Sequence, residues 1–171
     1  MSMIFNLIPA PVEELQALLD SPDGVMDYIY GEEELGGGAL DRAIDLDKAW
    51  HGVHFLLAGE VWGGTLPAAT LMAGGRSVGE VDVGYGPARV LTPAEVAAFS
   101  AHIGAISDQA FEALYDADAL TENQIYPDIW ARDWDDEENV AVSYLVENFR
   151  ALKVFFAEAE AAGQGVLIVL N

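Results

Sequence analysis

Asp47, His51 and His54 are spaced i, i+4 and i+7, so a helix through them sets two imidazoles and a carboxylate on one face. Such a set suits general acid–base work, because a histidine titrates near neutrality and a carboxylate can orient it. It is also a donor set for a divalent metal. Trp50, Phe55 and Leu56 mark the same helix as largely buried, and Asp47 is placed to cap its N-terminus. The three residues therefore stand as catalytic candidates, and no metal or other cofactor is expected. The competing expectation is structural, with His54 in the core on a carbonyl and His51 near the surface.

A second group is Tyr85, Arg89, Tyr126 and Trp130, with Trp134 beyond them, all in turn segments. Polar-tipped aromatics and an arginine can line a small-ligand or peptide groove, with Arg89 reading a carboxylate or phosphate. The same residues can instead pin loops to the core, with Arg89 paired to an acid.

Other motifs fail on context. Gly75-Arg76-Ser77-Val78-Gly79 has the literal spacing of a nucleophile elbow, but strand-like residues follow where a helix is required, so it reads as a glycine-rich loop. Gly84-Tyr85-Gly86-Pro87-Ala88-Arg89 begins like a dinucleotide fingerprint, yet Arg89 stands where the third glycine belongs. No glycine-rich stretch is followed by the Lys-Ser/Thr of a phosphate-binding loop. Asp133–Glu138 lacks the glycine and terminal acid of a calcium loop and reads as negative charge at a helix N-terminus.

Several elements position these residues. Ile4–Ile8 predicts a strand stopped by Pro9, and Pro11-Val12-Glu13-Glu14 opens a helix that Asp20-Ser21-Pro22 ends. Val25–Tyr30 predicts a short helix, and Gly36-Gly37-Gly38 a loop. The histidine helix runs to Gly59. Val81–Tyr85 and Arg89–Leu91 read as strands. Thr92-Pro93-Ala94-Glu95 is a capped helix start, and Ser107 caps another helix holding Phe111, Leu114 and Tyr115. Tyr126–Trp130 is a turn. From near Glu137 to Gly163, Val142, Leu145, Phe149, Leu152, Phe156 and Ala159 form one apolar helical stripe. The unbroken apolar run Val166–Leu170 suits a strand buried on both faces and lying inside the sheet. The expected architecture is α+β: one domain over residues 1–171, with a mixed small β-sheet, several helices, a long C-terminal helix and a buried C-terminal strand.

Ile44-Asp45-Leu46-Asp47-Lys48-Ala49-Trp50-His51-Gly52-Val53-His54-Phe55-Leu56-Leu57-Ala58-Gly59 resembles the hallmark segment of the YfbM-like family of small bacterial proteins, a domain of unknown function. Gly84–Arg89 followed by Leu91-Thr92-Pro93, and Ile125–Trp130, match in order, as do the N-terminal Met3-Ile4 segment, the long helix and the last strand. The Glu32–Gly38 and Asp133–Glu138 runs are less family-like. The resemblance implies a cytoplasmic α+β domain and carries no activity, cofactor or catalytic residue.

Composition bounds the function classes. The 171 residues hold 29 Asp+Glu against 7 Lys+Arg, a net charge of −22, with no cysteine. Disulfides, cysteine-ligated metals and thiol catalysis are excluded. Residues 1–41 carry nine acids and no Lys or Arg, and residues 108–138 carry eleven acids with Arg132 as the only base. A chain so charged is not built to neutralise phosphates, so neither nucleic acid nor an anionic membrane is an expected partner. With 52% apolar residues the chain has material for a core. No secretory signal or membrane span is expected, and the cytoplasm is the expected location. The acidity has a plain reading as solubility or salt adaptation and a sharper one as a docking face for a basic protein. The leading expectation is a non-enzymatic interaction domain with a basic partner. The alternative is a small-ligand-binding protein or a hydrolase-type enzyme using the Asp47/His51/His54 face.

Overall fold

A computed structural model describes residues 2–31, 37–130 and 140–171. Arg132, Trp134, the Asp133–Glu138 run, Glu32–Glu34, Gly36 and the expected helix start near Glu137 lie outside the described residues. Strands β1 (Phe5–Ala10), β2 (Ile44–Asp45), β3 (Arg76–Asp82), β4 (Pro87–Leu91) and β5 (Gly165–Leu170) form one sheet in the order β2-β1-β5-β4-β3, with every pair antiparallel. The last strand is thus the middle one, as its unbroken apolar run requires. Its register sets Phe5 against Leu170 and Ala10 against Gly165 on one side, and Val90 against Leu167 on the other.

β1 runs through Pro9, where an end was expected. Within a strand the nitrogen and carbonyl of one residue point to the same side, and the Pro9 carbonyl accepts from Arg42 Nε at 3.1 Å, away from β5. The donor that proline lacks is therefore not one the β1–β5 ladder uses. The Gly75–Gly79 stretch, expected as a loop, instead begins β3: Arg76 pairs with Val90 and Ser77 with Arg89. Only Val78 in that stretch is buried, so the local sequence shows little strand alternation.

Alternation along the strands splits the core in two. Phe5, Leu7, Leu91, Val166 and Ile168 face the larger half, with α3 (Trp50–Ala58), α5 (Pro93–Gly104) and the long α8 (Val140–Ala161). Ile8, Ala10, Val90, Leu167 and Val169 face the smaller half, under α1 (Val12–Asp20) and α2 (Val25–Tyr30). The stripe Val142, Leu145, Phe149, Leu152, Phe156 and Ala159 is buried along its whole length. Phe149 stacks on Phe111 at 4.0 Å, and Phe156 meets Phe99 edge-on at 4.8 Å. Helices α4 (Thr70–Ala73), α6 (Asp108–Glu112) and α7 (Ala117–Glu122), with short 3-10 helices at Pro22–Gly24 and Ala39–Arg42, complete the described elements. α4 and α7 were not anticipated from the sequence, each being too short to carry a helical period.

Thr92 caps α5 as its sequence predicts: its hydroxyl accepts from Glu95 N, and the Glu95 carboxylate accepts from Thr92 N at 2.8 Å. Replacing Thr92 with alanine removes half of this reciprocal pair, and an expected loss of about 1 kcal/mol should be measurable by urea unfolding, with Thr92→Ser close to wild type.

Candidate functional site

The histidine helix α3 begins at Trp50, not at Asp47. Asp47 has a left-handed backbone, φ +46°, in the turn before the helix, so its expected capping role is not taken. Gly59 ends the helix in the left-handed conformation, φ +71°, as its position predicts. Inside the helix Gly52 is a packing requirement: a Cβ there would lie 2.8 Å from Leu145 Cδ2 and 3.1 Å from Trp130 Cη2. Its bare backbone lets α3 approach α8 and the Trp130 ring.

His51 is 1% exposed, not near the surface as expected. The Tyr126 amide donates to its Nδ1 at 3.0 Å, which fixes the proton on Nε2, and Nε2 donates to the Val61 carbonyl at 2.9 Å. Trp50 stacks on one side of the imidazole at 4.8 Å, and Trp62 packs at 4.5 Å. Burial pushes the His51 pKa down, against the opposing pull of the Val61 carbonyl. This neutral ring ties the 59–69 loop and the Tyr126 turn to α3.

His54 is fully buried, and neither ring nitrogen has a hydrogen-bond partner among the described residues, where a carbonyl was expected. Its pKa is pushed down to about 4, chiefly by burial, then by repulsion from His51 once that ring is protonated and from Arg89. The Arg89 guanidinium donates to the Leu71 and Gly74 carbonyls, the end of α4, and among the described residues it forms no ion pair. A cation there satisfies carbonyls that the helix leaves open. The face of Asp47, His51 and His54 is therefore not one open surface.

Asp47 lies instead at an apolar cavity of about 240 Å³ lined by Asp47, Lys48, Pro127, Ile129, Val140, Ala141 and Tyr144. The Tyr144 hydroxyl donates to Asp47 Oδ2 at 2.8 Å and accepts the Lys48 amide at 3.1 Å. Burial, reinforced by the bond to Asp47, pushes the Tyr144 pKa up, so its proton stays in place to hold the carboxylate.

The residues of the second group make separate hydrogen bonds. Tyr85 is exposed at the β3–β4 connection, where its amide donates to Leu170 O at 3.0 Å. Tyr126 accepts the Met3 amide on its hydroxyl at 3.0 Å, and Trp130, buried, donates to Ile125 O at 2.6 Å. Both act on the chain around them, in the manner of loop pins. Among the described residues no hydrogen bond joins Tyr85 or Arg89 to either of them, and no group of three or more His, Cys, Asp or Glu is arranged to hold a metal. Tyr144 and Lys48 are not among the candidates that the sequence suggests. Tyr144 lies beside the α8 stripe with no local sign that its hydroxyl reaches a residue 97 positions away.

No described helix is long and apolar enough to cross a membrane. Among curated proteins none matches the chain. The crystal structure of a protein of unknown function, YfbM from Escherichia coli, resembles it with a TM-score of 0.68 at 20% identity, over 98% of this chain and 99% of that one, which is a likeness of fold. A family model described as DUF1877, a domain of unknown function, matches residues 1–169, and the chain belongs to that family.

Proposed function

We propose that the chain is a non-enzymatic protein-interaction domain whose acidic surface takes a basic partner. The observation that carries this reading is how little of the acidity is answered within the molecule. The ion pairs among the described residues are Arg42–Glu14, Arg150–Asp108 and Lys153–Asp108, so three bases engage two carboxylates. A fourth base, Arg89, is spent on carbonyls. Exposed acids follow one another along α6 and α7, at Glu112, Asp116, Asp118 and Glu122. The enzyme alternative has less support, because a general base must meet its substrate. His51 has both nitrogens engaged, and His54 is closed off from solvent.

Charge-steered binding is sensitive to salt, since the Debye length falls from about 10 Å at 0.1 M to about 3 Å at 1 M. Immobilised protein should capture basic proteins from host lysate at low salt and release them by about 0.5 M. Neutralising Glu112, Asp116, Asp118 and Glu122 to their amides should weaken capture without unfolding the chain. Asp116 caps α7 through its side-chain oxygen, and asparagine keeps that bond. Recovery no greater than that of an unrelated protein of equal acidity would refute the reading.

A further inference from the structure

We infer that the partner is read through one lysine side chain, which enters the cavity bounded by Asp47, Ile129 and Tyr144 and sets its ammonium on the Asp47 carboxylate. This inference rests on the interaction reading above and assigns it a site.

Three features of the cavity select this occupant. Its walls, from Pro127, Ile129, Val140 and Ala141, are apolar, and Asp47, exposed to solvent, adds a carboxylate to the lining. A lysine is apolar along four carbons and charged at the tip, so it buries its stem and keeps its head at the rim. The second feature is the state of the carboxylate. Tyr144 holds Asp47 Oδ2, and among the described residues no hydrogen bond engages Oδ1. A guanidinium fork wants both oxygens of a carboxylate, whereas an ammonium is a point charge that one oxygen satisfies. The third feature is the field: at a net charge of −22 the molecule attracts cations and repels phosphate or carboxylate ligands.

Lys48 lines the same cavity and is the opposing charge among its described lining residues. That makes it diagnostic. A cationic guest competes with its ammonium, whereas an anionic or zwitterionic guest needs it.

The test is an NMR titration of the whole chain with acetyl-Gly-Lys-Gly-amide, following the Ala141 and Ile129 methyls, beside the matching norleucine and arginine peptides. The lysine peptide should shift these methyls, and the norleucine and arginine peptides should bind at least about tenfold more weakly. Asp47→Asn should weaken the lysine peptide by about tenfold, equivalent to about 1.4 kcal/mol, and asparagine suits the left-handed backbone there. Lys48→Gln should tighten it. Equal binding of the norleucine peptide, indifference to Asp47→Asn, or loss of binding in Lys48→Gln would each overturn the assignment. Asp47→Asn is also to be tested in the lysate capture. Full salt-sensitive capture by that variant would sink the cavity and leave the interaction reading intact. Failure of the unaltered chain to capture anything salt-sensitive would sink the interaction reading itself.

Discussion

His51→Ala is expected to destabilise the folded chain by about 4 kcal/mol. Truncating a buried ring to a methyl costs roughly 2–4 kcal/mol in lost transfer energy and cavity. Leaving the Tyr126 amide and the Val61 carbonyl without their imidazole partner adds about 1 kcal/mol or more where water cannot replace it. Trp62, 59% exposed, is packed on that ring and also loses its seat. Urea unfolding at pH 7 measures the cost. A loss under about 1 kcal/mol would mean that solvent reaches both backbone groups, contrary to the burial described.

His54 carries the second large effect, which appears on acidification. Its folded pKa, about 4, lies below the ordinary histidine value of 6.5. Above pH 6.5 the ring is neutral in both folded and unfolded chains and costs nothing in proton linkage. As pH falls through 6.5 and on to about 4, the unfolded chain takes up a proton that the folded chain refuses. Stability is lost across that window, by about 3 kcal/mol at 1.36 kcal/mol per pKa unit. His54→Leu removes this term and also removes two buried nitrogens that lack partners among the described residues. The variant should match or exceed the unaltered chain at pH 7, and its advantage should grow by about 2–3 kcal/mol by pH 4.5. Carboxylate titration is common to both proteins and cancels in the difference. An advantage that stays constant with pH would show that His54 is protonated equally readily in both states.

The parts legible in the sequence were those governed by short-range rules. The α8 stripe repeats over enough turns for its period to be unmistakable, and the unbroken Val166–Leu170 run implies burial on both faces. Thr92-Pro93-Ala94-Glu95 holds its whole capping chemistry within four residues. The α+β class and the central last strand follow from such features. The site was less legible because its contacts are long-range. Nothing in the sequence near His51 announces that Tyr126, 75 residues on, donates to its ring. Asp47 was given to the helix because an aspartate before an apolar period is a common cap, while its real partner, Tyr144, lies in another element. The start of β3 was lost among glycines that local rules assign to a loop.

The place of β5 in the sheet has a consequence for synthesis. β1 and β4 leave the ribosome long before Gly165–Leu170, yet they touch the rest of the sheet through that strand alone on their facing edges. Until it arrives, the nascent chain holds two separate fragments, a β1–β2 pair and a β3–β4 hairpin, each with an open edge and an uncovered apolar face. Sealing both halves of the core therefore waits on β5, and is slow to begin because its contacts span most of the chain. The vulnerable interval is the one in which a chaperone, rather than β5, must occupy the gap.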